Sequence, residues 1–329
     1  MAKVEAVLRI NLSGSGRGPD HALDAQRFQA AVDMAEYAER CGFAFVNVEE
    51  HQDTEIGWLT SPLILAGLVL GRTRRIKVRG LAILATLYDP LRLAQDVAAL
   101  DLASGGRFLL VAGQGYRPSE YHMMDRDFAS RGARMDFVLE TLLEAWSGEP
   151  FEYRGQRIRV TPLPLTRPHP PLFVAGMSKP AARRAARLGL PFFPPQPMPE
   201  LEAFYLEECA RRGTCGEVVV HRDLSLWFIA DDPEEAWAEV GPCFLRETEE
   251  YSSWARPGVQ RQYVVSDPAV AELRRQRVFE ILTPEAARTR IRSAAGGCMP
   301  ILHPLAGGVP LERAWRCLEL FGEEVLGRL

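Results

Sequence analysis

The sequence predicts an α/β fold, a TIM (β/α)8 barrel with insertions at the C-terminal mouth, on three observations. Short β-branched or aromatic runs alternate with longer stretches of helical periodicity along nearly all of the 329 residues, the rhythm of parallel βα units. Eight such strand–helix pairs follow one another, enough for right-handed crossovers to close a barrel. No Gly-x-Gly-x-x-Gly turn follows the first strand, which weighs against the rival doubly wound open sheet.

The elements follow in order. Val4–Asn11 is the first strand, and the Gly/Ser-rich loop Ser13–Pro19 leaves it. Helical spacing runs over Ala25–Arg40 and stops at Cys41-Gly42, where glycine suits a helix end. Phe43–Glu49 is the second strand and delivers Glu50 and His51 at its C-terminal end. Helix two spans Ser61–Leu70 with Pro62 at its start, where a missing N–H costs nothing. Strand three is Ile76–Leu84, and helix three opens at Asp89-Pro90 and runs to Ala103. Strand four, Arg107–Ala112, runs into the glycine-containing loop Gly113–Tyr116 and a helix over Ala129–Trp146. Gly148–Val160 reads as a small hairpin excursion.

Strand five is Leu172–Ala175, followed by helix Pro180–Leu188, the short strand Pro191–Phe193 and helix Pro199–Arg212. Strand seven is Glu217–Ala230, and Asp231-Asp232-Pro233 caps the helix after it. Residues 245–282 break the rhythm and are read as an insertion or lid over the mouth. Thr283 caps a helix with Pro284 at its first position, Met299–His303 is strand eight and Leu311–Val325 the last helix. Residues 1–329 thus form one barrel domain.

Bulk properties exclude several classes. With 39 basic against 43 acidic residues, and no basic stripe interleaved with aromatics, nucleic acid is not an expected partner. The most apolar stretch, Leu59–Leu70, contains Thr60, Ser61, Pro62 and Gly67 and falls short of the ~18 residues of a membrane span. The N-terminal residues lack a signal-peptide pattern, and the expected location is the cytoplasm. Cysteines 41, 209, 215, 243, 298 and 317 form no Cys-x-x-Cys pair and have no histidine cluster beside them, so reduced thiols and no metal site are expected.

Barrel active sites lie at the C-terminal strand ends, which selects candidates. His51 stands beside Glu49 and Glu50. It reads either as an acid or base held in one tautomer or as a buried histidine satisfied by a carbonyl. Ser178, between strand five and its helix, reads as part of an anion site or as an ordinary N-cap. Gly113 and Gly115 admit close backbone approach to a ligand, or simply make a tight turn. His303 reads as a core or rim residue. Trp58, Trp227 and Trp254 read as packing residues, with Trp254 a candidate pocket wall.

Several motifs, in order along the chain, carry a resemblance. Leu100–Phe108 reads LDLASGGRF, similar to an "LDxxSxGRF" signature. Glu50-His51-Gln52, Ser61-Pro62, Asp89-Pro90-Leu91-Arg92 with Asp96, and Tyr116–Glu120 fit the same pattern. So do Arg183–Ala186, Gly189-Leu190-Pro191, Thr283-Pro284-Glu285 and Leu318–Phe321. Together they resemble the bacterial-luciferase-like family of flavin-dependent oxidoreductases and monooxygenases.

The resemblance implies roles. His51 falls on the family's base in oxygen chemistry, with Glu50 preceding it. Leu81-Ala82 falls on a non-proline cis peptide beneath the flavin ring. Gly176, Met177 and Ser178 fall on the turn that binds the flavin phosphate, and Gln114 on a phosphate-contacting arginine of the light-emitting members. Departures are Gln52 for a second histidine, Gln114 for that arginine, Ala181 for a phosphate-contacting threonine and Gly113 for a cysteine. Lys179 and Arg183 are candidates to compensate, and light emission is not implied.

The implied activity is a monooxygenase oxidising a small, largely apolar organic molecule with O2 and reduced FMN from a separate flavin reductase. Two alternatives remain: deazaflavin-dependent hydride transfer, and a non-catalytic partner subunit. A homodimer through helices two and three, around Leu63–Leu70, is also expected.

Overall fold

The computed structural model describes residues 4–16, 21–221, 225–255, 269–294 and 298–329. In chain order the first elements are β1 (Val7–Ile10), α1 (His21–Cys41), β2 (Phe45–Val48), α2 (Pro62–Arg72), β3 (Lys77–Leu84), α3 (Pro90–Ser104) and β4 (Phe108–Gly113). Then come α4 (Pro118–Met123), α5 (Arg131–Ser147), β5 (Phe151–Tyr153), β6 (Gln156–Ile158), β7 (Leu172–Ala175), α6 (Lys179–Leu188), β8 (Phe192–Phe193) and α7 (Pro199–Arg212). The chain continues through β9 (Leu226–Ile229), α8 (Pro233–Ser253), α9 (Val270–Gln276), β10 (Phe279–Leu282), α10 (Pro284–Ser293), β11 (Ile301–Leu302) and α11 (Leu311–Glu319).

Helix ends obey local chemistry. The Asp89 carboxylate accepts from the Leu91 and Arg92 amides at the start of α3, and Gly105 ends it in the left-handed region at φ 69°. Asp232 caps α8 through the Glu234 and Glu235 amides, and Thr283 caps α10 through Ala286.

Contacts divide the chain into two compact units. The first comprises Met1–Glu49, Thr54–Thr60 and Arg222–Leu329. Its strands are parallel, in the order β10-β9-β11-β1-β2. All four residues of β1 are buried, as expected where a parallel strand is covered on both faces. Phe244 stacks on Phe279 with ring centroids 4.1 Å apart in its core.

The second unit comprises Glu50–Asp53 and Ser61–His221. Its parallel strands run β3-β4-β7-β8, and Val218 bridges to Phe192 beyond β8. The antiparallel pair β5–β6 is the hairpin expected over Gly148–Val160.

The structure corrects several boundaries. The expected strand Glu217–Ala230 is not continuous: it gives a bridge at Val218 and then β9, while residues 222–224 lie outside the described residues. Within 245–282 the described residues carry the second half of α8, all of α9 and β10, which pairs with β9; residues 256–268 lie outside them. Helical periodicity was masked there because α8 buries Glu247, Thr248 and Glu250 rather than apolar side chains. β10 was masked by Glu280, whose charge is met by Arg277 and Arg290. The six-residue α4 was not anticipated, and residues 17–20 of the first loop lie outside the described residues.

Candidate active site

His51 lies three residues past the end of β2 and is buried. Its Nδ1 lies 2.8 Å from Oε1 of Glu120. Glu120 is wholly buried, and the same oxygen accepts from the Gln52 amide at 3.3 Å and from Arg117 Nη1 at 3.3 Å. Arg117 also donates from Nη1 to the Gln52 carbonyl at 2.5 Å and from Nη2 to the Asp53 carbonyl at 2.6 Å. Arg117 and Glu120 meet because α4 starts between them. Pro118 occupies the first turn, and an acidic residue there also suits the helix dipole. The Tyr116 ring stands edge-on to the imidazole, centroids 6.0 Å apart.

The neighbouring carboxylates face elsewhere. Glu50 Oε2 accepts from the Leu84 amide at 2.8 Å, and its Oε1 from Gln52 Nε2 at 3.0 Å and the Tyr88 hydroxyl at 3.2 Å. Burial pushes the Glu50 carboxyl up to about 7, against the pull of these three donors. Glu49, in the other unit, pairs with Arg9 at 2.5 Å. The carboxylate at His51 is therefore Glu120, 69 positions away in the chain. Glu120 belongs to the Tyr116–Glu120 motif, but no role for it is legible in sequence, since only the folded chain brings it to His51.

Leu81-Ala82 is a cis peptide, and it falls where the pairing of β3 with β4 shifts register. A Cβ on Gly113 would stand 2.9 Å from that of Ala82, so glycine permits this close approach. The Gln114 carbonyl accepts from Thr86 Oγ1 at 2.8 Å and from the Tyr121 hydroxyl at 2.5 Å, which pins the loop by its backbone. The Gln114 side-chain amide makes no hydrogen bond among the described residues.

Gly176, Met177 and Ser178 join β7 to α6. Ser178 holds the N-cap position of α6, yet its exposed hydroxyl makes no capping bond. That hydroxyl and the first-turn amides of Lys179 and Ala181, Pro180 between them having none, are donors that an anion takes. Lys179 and Arg183 lie over the Phe204 ring, at 5.2 and 5.4 Å from its centroid, and Arg183 also sits 3.7 Å from Glu208. The turn therefore fits a phosphate through neutral donors.

The remaining candidates lie in the first unit and are packed. His303 is buried with Nδ1 at 3.2 Å from the Arg9 carbonyl and Nε2 at 3.0 Å from Glu247, a satisfied core histidine. Trp58, Tyr251 and Trp254 pack mutually at 5.2–5.5 Å between centroids. Trp227 donates from Nε1 to Ser225 at 3.0 Å.

The family model for luciferase-like monooxygenases matches residues 10–294. The alkanal monooxygenase alpha chain of Photorhabdus luminescens is 28% identical over 165 residues, 49% of this chain and 46% of that protein. The chain spans about half the length of the curated relatives it matches. Among solved structures, the monooxygenase RslO1 from Streptomyces bottropensis superposes with a TM-score of 0.74 at 25% identity, covering 98% of this chain and 99% of that one. The oxygenating constituent of 3,6-diketocamphane monooxygenase from Pseudomonas putida, solved with FMN, gives 0.70 at 19% identity, covering 100% and 99%. These likenesses run the length of the chain and show the fold, an α/β barrel of the TIM type. With the family match extending over most of its residues, the chain belongs to the luciferase-like monooxygenase family.

Proposed function

We propose that the protein is a flavin-dependent monooxygenase that oxidises a small, largely apolar organic substrate with O2 and reduced FMN supplied by a separate flavin reductase. The observation that carries this reading is Ser178, an N-cap by position whose hydroxyl stays uncommitted at the head of α6. When bound, reduced FMN supplies the electrons that activate O2. Ser178 and the Lys179 and Ala181 amides of α6 would hold the phosphate, in the manner of helix N-termini generally. The Leu81-Ala82 segment of β3 would back the ring, and the lack of a Cβ at Gly113 and Gly115 would let the adjoining backbone come close to it. Gln114 contributes its unengaged amide, while Lys179 and Arg183 stay with Phe204. His51 holds or moves a proton at the reacting oxygen, near-neutral acid–base work for which imidazole is suited. Glu50 braces the end of β3 through Leu84.

The reading takes the whole chain as one barrel domain, acting as a homodimer through α2 and α3. Titration with FMN, followed by quenching of flavin fluorescence, tests it. Saturable quenching is expected, and Ser178→Ala should weaken it about fivefold, the worth of one hydrogen bond of about 1 kcal/mol. His51→Gln should bind FMN normally yet give less oxygenated product when a reductase, NADH and medium-chain aldehydes or cyclic ketones are supplied. Quenching by a deazaflavin in place of FMN would replace this reading with hydride transfer. Binding of neither would favour a non-catalytic subunit.

A further inference from the structure

We propose that Glu120 is the positioning residue for His51, fixing its tautomer so that Nδ1 carries the hydrogen and Nε2 is the nitrogen that carries none. The inference rests on the role given to His51 above.

The geometry is specific. A carboxylate only accepts, so the hydrogen in the 2.8 Å contact belongs to Nδ1. Glu120 is wholly buried, and its charge acts without solvent screening. The donors from His51, Gln52 and Arg117 all gather at Oε1, and Oε2 has no hydrogen-bond partner among the described residues. Arg117 ties the arrangement together by holding the carbonyls of Gln52 and Asp53, the two residues after His51, as well as Glu120 itself. The histidine-bearing loop and the carboxylate-bearing helix are thus joined by four hydrogen bonds. Glu50 cannot take this part, since both of its oxygens are engaged by Leu84, Gln52 and Tyr88.

The test begins with the full-length wild-type chain labelled with 15N-histidine. It has 6 histidines, and His51 is assigned by the signal lost in His51→Gln. Long-range 15N–1H correlations, at the alkaline end of the stable range, should show His51 protonated at Nδ1 and bare at Nε2. A proton on Nε2 instead overturns the proposal, whatever any variant does. The second arm is Glu120→Gln, which keeps shape and removes charge. Reoxidation of its bound reduced FMN by O2, read by flavin absorbance, should slow about tenfold or more, as for other outer partners of a working histidine. FMN affinity should stay unchanged. A lowered Tm with unchanged reoxidation would make Glu120 merely structural and overturn the proposal. If Glu120→Gln does not fold, the wild-type spectrum alone decides. Should His51→Gln reoxidise like wild type, the role of His51 fails, while the spectrum still reports on the pairing.

Discussion

His51 and Glu50 are adjacent in the chain but serve different neighbours, and their titration separates them. Glu50 has an ordinary carboxyl value of 4.5 that burial raises to about 7. Between those values the folded protein keeps a proton that the unfolded chain has released. The contribution of Glu50 is therefore full below pH 4.5 and diminishes by about 3 kcal/mol as pH rises through 7. Glu50→Gln should abolish this dependence. The stability of wild type relative to the variant, from urea unfolding at a series of pH values, should decline over that interval. A constant difference would mean that Leu84, Gln52 and Tyr88 compensate the buried charge fully. Residues of this kind are only half visible in a sequence. The position of His51 at a strand end was legible, whereas which carboxylate reaches it depends on the placing of a helix almost seventy residues later.

At the scale of elements, α2 is the informative case. Ile64 and Leu68 are 69% and 55% exposed, one helical turn apart, and Leu102 of α3 is 44% exposed. Three large apolar side chains left in solvent on two packed helices suit the self-association proposed above. Ile64→Glu combined with Leu68→Glu should convert a dimer to monomer in analytical ultracentrifugation, with little change in the helical circular dichroism signal. A wild type that sediments as a monomer would dismiss the dimer outright. α8 teaches the opposite lesson about reading helices. Its inward face carries Glu247, Thr248 and Glu250, so a search for apolar periodicity ends too early although the helix runs on to Ser253.

For the whole molecule, acid is the condition that should undo the fold. Burial opposes the ionisation of Glu247, but His303, then Arg9 and the Ser13 hydroxyl, bring its carboxyl down to about 2. Its stabilising effect is present above the ordinary 4.5 and disappears as pH falls toward 2, a loss of about 3 kcal/mol. Glu247→Gln should be less stable near neutrality and show a flatter acid-unfolding curve by circular dichroism; an equally steep curve would assign the acid sensitivity to other groups. The parallel βα rhythm was readable over most of the chain, because buried strands and periodic helices are repeated patterns. Two things were not. β10 is four residues long and carries a paired glutamate, and a single bridge at Val218 stands where a long strand was expected. Neither leaves a periodic trace.

The turn at Gly176 also bears on how this chain can vary. A Cβ at 176 would lie 2.4 Å from that of Ala181, far inside van der Waals contact. Any lineage that gains a side chain at 176 must therefore first lose the methyl at 181 or move the start of α6. The two positions are expected to drift together, as a linked pair, in the descendants of this sequence.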